Sequence, residues 1–152
     1  MSTAFEGDLI RPLGLITLYC AYAEGEVDEL LLAMSSLEPF DDSRRQWPVG
    51  QKLAHAEGLI RRLNRDDQLG ALLSAITEAR ALFERRNSLI HGRLYAGGRL
   101  MSNRSSVPES RVTPEELNAF AESVFTCKER LFVHRCRDLQ SAIANHRAER
   151  DA

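Results

Sequence analysis

The segment Glu84-Arg85-Arg86-Asn87-Ser88-Leu89-Ile90-His91-Gly92 sets two adjacent arginines, an amide and a histidine on the last two turns of an otherwise apolar helix. Asn87 and His91 stand four residues apart. They therefore share a helix face, and the amide can hydrogen-bond and orient the imidazole. Arg86 precedes His91 by five residues and lies farther round the helix, but its side chain is long enough to bring the guanidinium alongside the ring. An imidazole accepts or donates a proton near neutral pH, and a guanidinium stabilises charge developing on a phosphoryl group. Such a trio suits phosphodiester cleavage by a neighbouring 2′-hydroxyl, which needs no metal.

Four helices and one small hairpin are expected to position these groups. The first helix reads from Asp8 to Leu37, with Leu13, Ile16, Cys20, Ala23, Val27, Leu30, Met34 and Leu37 spaced by threes and fours as a helical seam. Pro12 falls inside its first turn, where proline is tolerated. Glu24, Glu26, Asp28 and Glu29 lie off the seam. A polar loop, Glu38 to Pro48, leads to a second helix that carries Val49, Leu53, Ala56, Leu59 or Ile60, and Leu63 on one face. Pro48 is a helix-start proline.

The third helix reads from Asp67 to Gly92, its end marked by a glycine able to adopt the left-handed C-cap conformation. It bears two apolar stripes, one through Leu69, Leu72, Leu73, Ile76, Phe83 and Ile90, the other through Leu82 and Leu89. Two stripes imply packing on two sides, within the bundle or against a second chain. The period then changes. Arg93-Leu94-Tyr95 and Arg99-Leu100-Met101 flank a glycine turn and read as a short β-hairpin, with a polar, mobile stretch from Asn103 to Val112 behind it. Thr113-Pro114-Glu115-Glu116 is a capping box that opens a fourth helix running to about His146. Its stripe, Leu117, Phe120, Val124, Cys127 and Leu131, drifts through Cys136, Leu139 and Ile143. The expected fold is all-α: a single domain over residues 1–152, an up-and-down four-helix bundle with the hairpin between its third and fourth helices.

At Arg86-Asn87-Ser88-Leu89-Ile90-His91 the chain resembles the HEPN superfamily, whose signature is an arginine, often followed by a small polar residue, with a histidine after four to six intervening positions. The resemblance in sequence covers about a dozen residues. It implies a helical bundle that forms a homodimer, bringing two motifs into one cleft. It also implies a metal-independent endoribonuclease of toxin–antitoxin or phage-defence type. Arg86 and His91 would be catalytic, Asn87 supporting, and no cofactor or metal would be required. Arg85, Arg93, Arg61 and Arg62 would then contact the RNA backbone. A cognate antitoxin, nucleotidyltransferase-like or other, is the implied protein partner. One toxin subgroup carries a modified tyrosine two residues after the histidine. Arg93 occupies that position here, so Tyr95 reads as a hairpin residue instead.

Other readings compete with this one. Arg86 equally reads as pairing with a carboxylate such as Glu24 or Asp28 while His91 caps the helix, and many HEPN-like domains act as non-catalytic interaction modules. His134-Arg135-Cys136 looks like half a zinc site with no second half at ligand spacing. Trp47 reads as a staple beside Pro48, and His55 and His146 as solvent-facing. Cys20 sits on the first seam as a small buried hydrophobe.

Composition bounds the rest. Of 20 basic residues only Lys52 and Lys128 are lysine, and with a net charge of −2 nothing announces a nucleic-acid binder by bulk electrostatics. Arginine nevertheless offers a planar fork to individual phosphates. Three cysteines without a CxxC pair, no signal-peptide pattern and no apolar run long enough to span a bilayer lead to the expectation of a cytoplasmic protein without membrane contact.

Overall fold

In a computed structural model, the backbone is described for residues 3–91, 93–95, 99–101 and 110–152, and the side chains for residues 8–89, 100 and 111–152. The chain is predominantly helical. Its elements are α1 (Thr3–Ala33), α2 (Asp42–Arg45), α3 (Val49–Arg62), α4 (Asp66–His91), β1 (Arg93–Tyr95), β2 (Arg99–Met101), β3 (Ser110–Arg111), α5 (Pro114–His134), a π-helical turn (Arg135–Leu139) and α6 (Gln140–Asp151). No helix among the described residues is long and apolar enough to cross a membrane.

The α1 seam is buried as its spacing dictates: Ile16, Cys20, Ala23, Val27, Leu30 and Met34 are all within the core. The helix begins earlier than its first polar residues imply, so Pro12 stands in its interior rather than in its first turn. Beyond Ala33 it tightens, with Met34 and Ser35 donating to the carbonyls of Leu31 and Leu32. The next segment, a polar loop, contains the short helix α2, because the Asp41 carboxylate accepts from the Arg44 amide at 3.0 Å and caps the turn. Between α3 and α4 the chain reverses at Asn64, whose φ of 57° is the left-handed conformation that asparagine tolerates.

α4 packs on α3 along one side and on α5 along the other. The described part of its two apolar stripes is thus accommodated within one chain: Leu69, Leu72, Ile76, Phe83 and Leu89 are buried and Leu73 and Leu82 are half-buried, while the Ile90 side chain lies outside the described side chains. The capping box of α5 is formed as its sequence demands, with Thr113 accepting from the Glu116 amide at 3.1 Å. Past His134 the drift in the apolar stripe has a physical cause. The π-turn adds a residue to one turn of helix and rotates α6 relative to α5. Leu139, Ala142 and Ile143 continue the core, whereas Cys136, expected on that stripe, is exposed. The helix then runs on to Asp151.

β1 and β2 pair antiparallel with Leu94 opposite Leu100, and β2 pairs antiparallel with β3 through Leu100 opposite Ser110. The stretch expected to be a mobile loop therefore ends in a strand, and Val112, just after it, is buried. Leu100 and Val112 tie this small sheet to the same core cluster that the helices share.

The up-and-down order is corrected by the pairings between helices. Tyr19 meets Phe125 with ring centroids 5.1 Å apart, and farther along both helices Glu26 accepts from Arg135 at 3.3 Å. Asp8 and Pro12 likewise line one groove with Pro114 and Asn118. Later residues of α1 thus meet later residues of α5, and the two run parallel. In an up-and-down bundle the first and fourth long helices are antiparallel. The segment between α1 and α3 carries the chain back along the molecule, so that α3 also runs parallel to α1: Lys52 meets Asp28, and farther on Arg62 meets Glu38. α4 runs the other way along α5 and α6: Arg65 pairs with Glu149, and the Ala75 carbonyl accepts from Cys127 Sγ at 3.5 Å.

Candidate functional site

Arg86 leaves α4 one and a half turns before its end and reaches across to α1. Its Nη1 donates to Glu24 Oε1 at 2.8 Å, and its Nη2 donates to the Asn87 side-chain oxygen at 3.0 Å. The guanidinium carbon lies 5.0 Å from the centre of the Phe83 ring, so the positive charge rests on a π face. The side chain is 20% exposed and that of Glu24 is 40% exposed. Arg86 Nε is buried and has no hydrogen-bond partner among the described residues. A guanidinium has five N–H donors; among the described residues Nη1 and Nη2 each give one, to Glu24 and Asn87 respectively, which leaves one more on each.

Asn87 turns its oxygen towards Arg86 and is exposed, as is Arg85. The helical backbone places His91 on the last turn of α4. The His91 imidazole and the Arg93 side chain, both named by sequence, lie outside the described side chains. Of the two carboxylates that sequence offers to Arg86, Glu24 is the one it takes. Asp28 binds Lys52 Nζ at 2.7 Å instead, and that lysine is 6% exposed with its ammonium 5.9 Å from the Phe40 ring.

Arg61 and Arg62 are not brought to this site within the chain. Arg61 donates to Asp66 and Glu57, each at 3.2 Å, and Arg62 to Glu38 at 3.3 Å. Asp66 opens α4 and Arg86 nears its close, twenty residues on, which is about 30 Å of helix. The two arginines sit at the opposite end of the molecule from Arg86, each already engaged by carboxylates.

Beneath Arg86 is a small apolar gap of about 10 Å³ lined by Cys20, Ala23, Ala79, Phe83, Val124 and Cys127. It has no room for a substrate. Burial pushes the Cys20 thiol up to about 11, opposed by the Arg86 guanidinium and reinforced by Glu24. Burial also pushes Cys127 up to about 12, with Glu78 adding to the rise and Arg130 opposing it.

Sequence reading missed a second polar cluster, at the π-turn. His134 Nδ1 and Asp138 Oδ2 are 2.9 Å apart, and Arg137 Nε donates to Asp138 Oδ1 at 3.0 Å. An ionised carboxylate has no proton to give, so Nδ1 carries the hydrogen. Arg137 Nη2, 3.3 Å from that same nitrogen, then serves the carboxylate's charge rather than bonding to the ring. The Arg137 hydrogen bond comes first among the causes that hold Asp138 below the usual aspartate range, ahead of the bond from His134. The i, i+4 spacing of His134 and Asp138 was a legible signal for this pair. No group of three or more histidine, cysteine or carboxylate side chains capable of holding a metal occurs among the described residues. His55 is half-buried rather than solvent-facing, edge-on to Trp47 at 5.2 Å, and His146 is half-buried too.

Compared with known proteins, the chain matches no family model, no curated protein and no solved structure.

Proposed function

We propose that this protein is a metal-independent endoribonuclease with a four-helix bundle of HEPN type, acting as a homodimer on single-stranded RNA in the cytoplasm. The observation that carries the proposal is the setting of Arg86. A guanidinium with free donors is held at the surface end of α4, braced by Asn87 beside it, on the same helix as His91. In this reading Arg86 holds the scissile phosphate and stabilises the charge that develops on its oxygens. His91 takes the proton from the 2′-hydroxyl as that oxygen attacks phosphorus, or returns one to the departing 5′-oxygen. Asn87 positions the guanidinium. Arg85 and Arg93, which flank the motif in sequence, meet the neighbouring backbone phosphates in this reading. The protein works as a toxin or phage-defence component, restrained by a cognate antitoxin.

Cleavage of a labelled single-stranded RNA in EDTA, beside the same sequence with 2′-deoxy linkages, tests this. DNA lacks the attacking hydroxyl, so cutting of the RNA alone, abolished in His91→Ala with fold and assembly intact, is the expected result. Absence of cutting by folded protein across several RNA pools defeats the proposal.

The Arg86–Glu24 pair favours a second reading, a non-catalytic interaction module in which Arg86 fastens α4 to α1. Arg86→Ala would then lower stability and leave no nucleic-acid phenotype.

A further inference from the structure

From Pro12 to Ala23 the chain carries no charge, although one side of this part of α1 faces outward. Leu18 is 44% and Tyr22 46% exposed, with Gly14, Ala21 and Gly25 exposed beside them. Glycine inside an exposed helix weakens it, because it gives up the most backbone entropy on folding. The fold itself does not require either glycine: a Cβ at Gly14 or Gly25 would meet nothing within 4 Å. Close approach of a second backbone is what such positions permit. Arg11, Gly14, Leu18, Ala21 and Gly25 are spaced by threes and fours, which is the seam of two paired helices.

We infer that this face of α1 packs antiparallel against the same face of a second copy, about a two-fold axis passing near residues 19 and 20. Charge selects the occupant and the direction. Arg11 and Glu29 are exposed at opposite ends of the face. They stand eighteen residues apart, about five full turns, and so lie on one edge. Antiparallel pairing brings each Arg11 to the partner's Glu29, twice, whereas parallel pairing would set like charge against like. The same register lays Gly14 against the partner's Gly25 and Leu18 against the partner's Ala21, large into small. The surface is complementary to itself, as a two-fold interface must be.

The rotation also keeps the edge bearing Glu24 on one side of the helix pair. Each Arg86, bound to Glu24, then opens on the same face of the dimer, the two offset by about 14 Å along α1. That shared face bears on the proposed ribonuclease, but the pairing stands without it.

Size-exclusion chromatography with light scattering gives the first test, and the wild-type chain is expected to be a dimer. Leu18→Glu should yield a monomer with unchanged helicity, since the side chain is already half exposed. Arg11→Glu should weaken the dimer by about tenfold or more, and adding Glu29→Arg should restore it. Gly14→Ala with Gly25→Ala should raise the melting temperature of the Leu18→Glu monomer while loosening the wild-type dimer. A wild-type monomer at every concentration, or a dimer untouched by both Leu18→Glu and Arg11→Glu, overturns the inference. An inactive dimer dissociated by Leu18→Glu supports the pairing and defeats the ribonuclease reading; a wild-type monomer that cleaves RNA overturns the pairing and supports the cleavage chemistry without the dimer.

Discussion

Glu24 of α1 holds the Arg86 guanidinium at 2.8 Å, and the pair joins the arginine fork seated on Phe83 to a helix more than sixty positions earlier in the chain. The contact has two consequences of opposite sign for anion binding. It fixes the guanidinium, so less side-chain entropy is lost when a phosphate arrives. It also supplies a competing negative charge, so a phosphate must share Arg86 or displace the carboxylate.

Glu24→Gln separates these effects. The amide still accepts a hydrogen bond from Arg86 but brings no charge. RNA affinity in a filter-binding or fluorescence titration should rise several-fold and fall more steeply with salt, because one uncompensated cation has been added. Stability should drop by less than about 1 kcal/mol, as for other ion pairs open to solvent. Unchanged affinity together with a larger loss of stability would make the pair a fastening alone.

Lys52 and Asp28 form the more deeply set pair, with the lysine side chain 8% exposed and the aspartate 31% exposed. Removing the aspartate leaves an ammonium buried without a counter-charge, whereas removing both leaves an apolar contact. Asp28→Ala should therefore cost about 2 kcal/mol in urea unfolding, and Lys52→Met in the same chain should recover most of it. Equal losses in the single and double variants would show that the pair carries no coupling.

Helix placement is legible in the sequence wherever the apolar period is strong. The α1 seam, the face of α3 and the capping box at Thr113 follow from spacing and cap chemistry, and burial of Ile16, Leu53 and Leu117 accords with them. Direction is not legible, because periodicity says which face a helix buries and nothing about which way its neighbour runs. The π-turn is visible as drift after Leu131, yet drift alone does not distinguish fraying from an inserted residue. Cys136 consequently reads as part of the core stripe and lies outside it. At the candidate site Arg86 and Asn87 stand out by their types and spacing, and Glu24 is one of two carboxylates that sequence offers. Arg61 and Arg62 group with them on residue type, which carries no distance, and the length of α4 sets them apart.

Asp138 gives a dependence on pH. Its folded pKa is lowered, first by the Arg137 hydrogen bond. The stabilisation is therefore fully present above the ordinary aspartate pKa and is lost as pH falls through the lowered value. Asp138→Asn should destabilise the protein at neutral pH, and its unfolding curve should converge with wild type as the medium becomes acid. A difference that persists undiminished at low pH would mean that Asp138 acts through shape rather than charge.

Thiol chemistry distinguishes the three cysteines. Cys20 and Cys127 are buried and their pKa values are pushed up to about 11 and about 12, whereas Cys136 is exposed after the π-turn. The thiolate is the reacting species, and a thiol with a pKa near 11 is only about one part in a thousand ionised at pH 8. Treatment of folded protein with iodoacetamide at pH 8 should label Cys136 promptly, and mass spectrometry of peptides should find Cys20 and Cys127 unmodified until denaturant is added. Early labelling of Cys20 would show that the α1–α4 contact beneath Arg86 opens in the native state, and Glu24→Gln should then accelerate that labelling while leaving Cys127 unchanged.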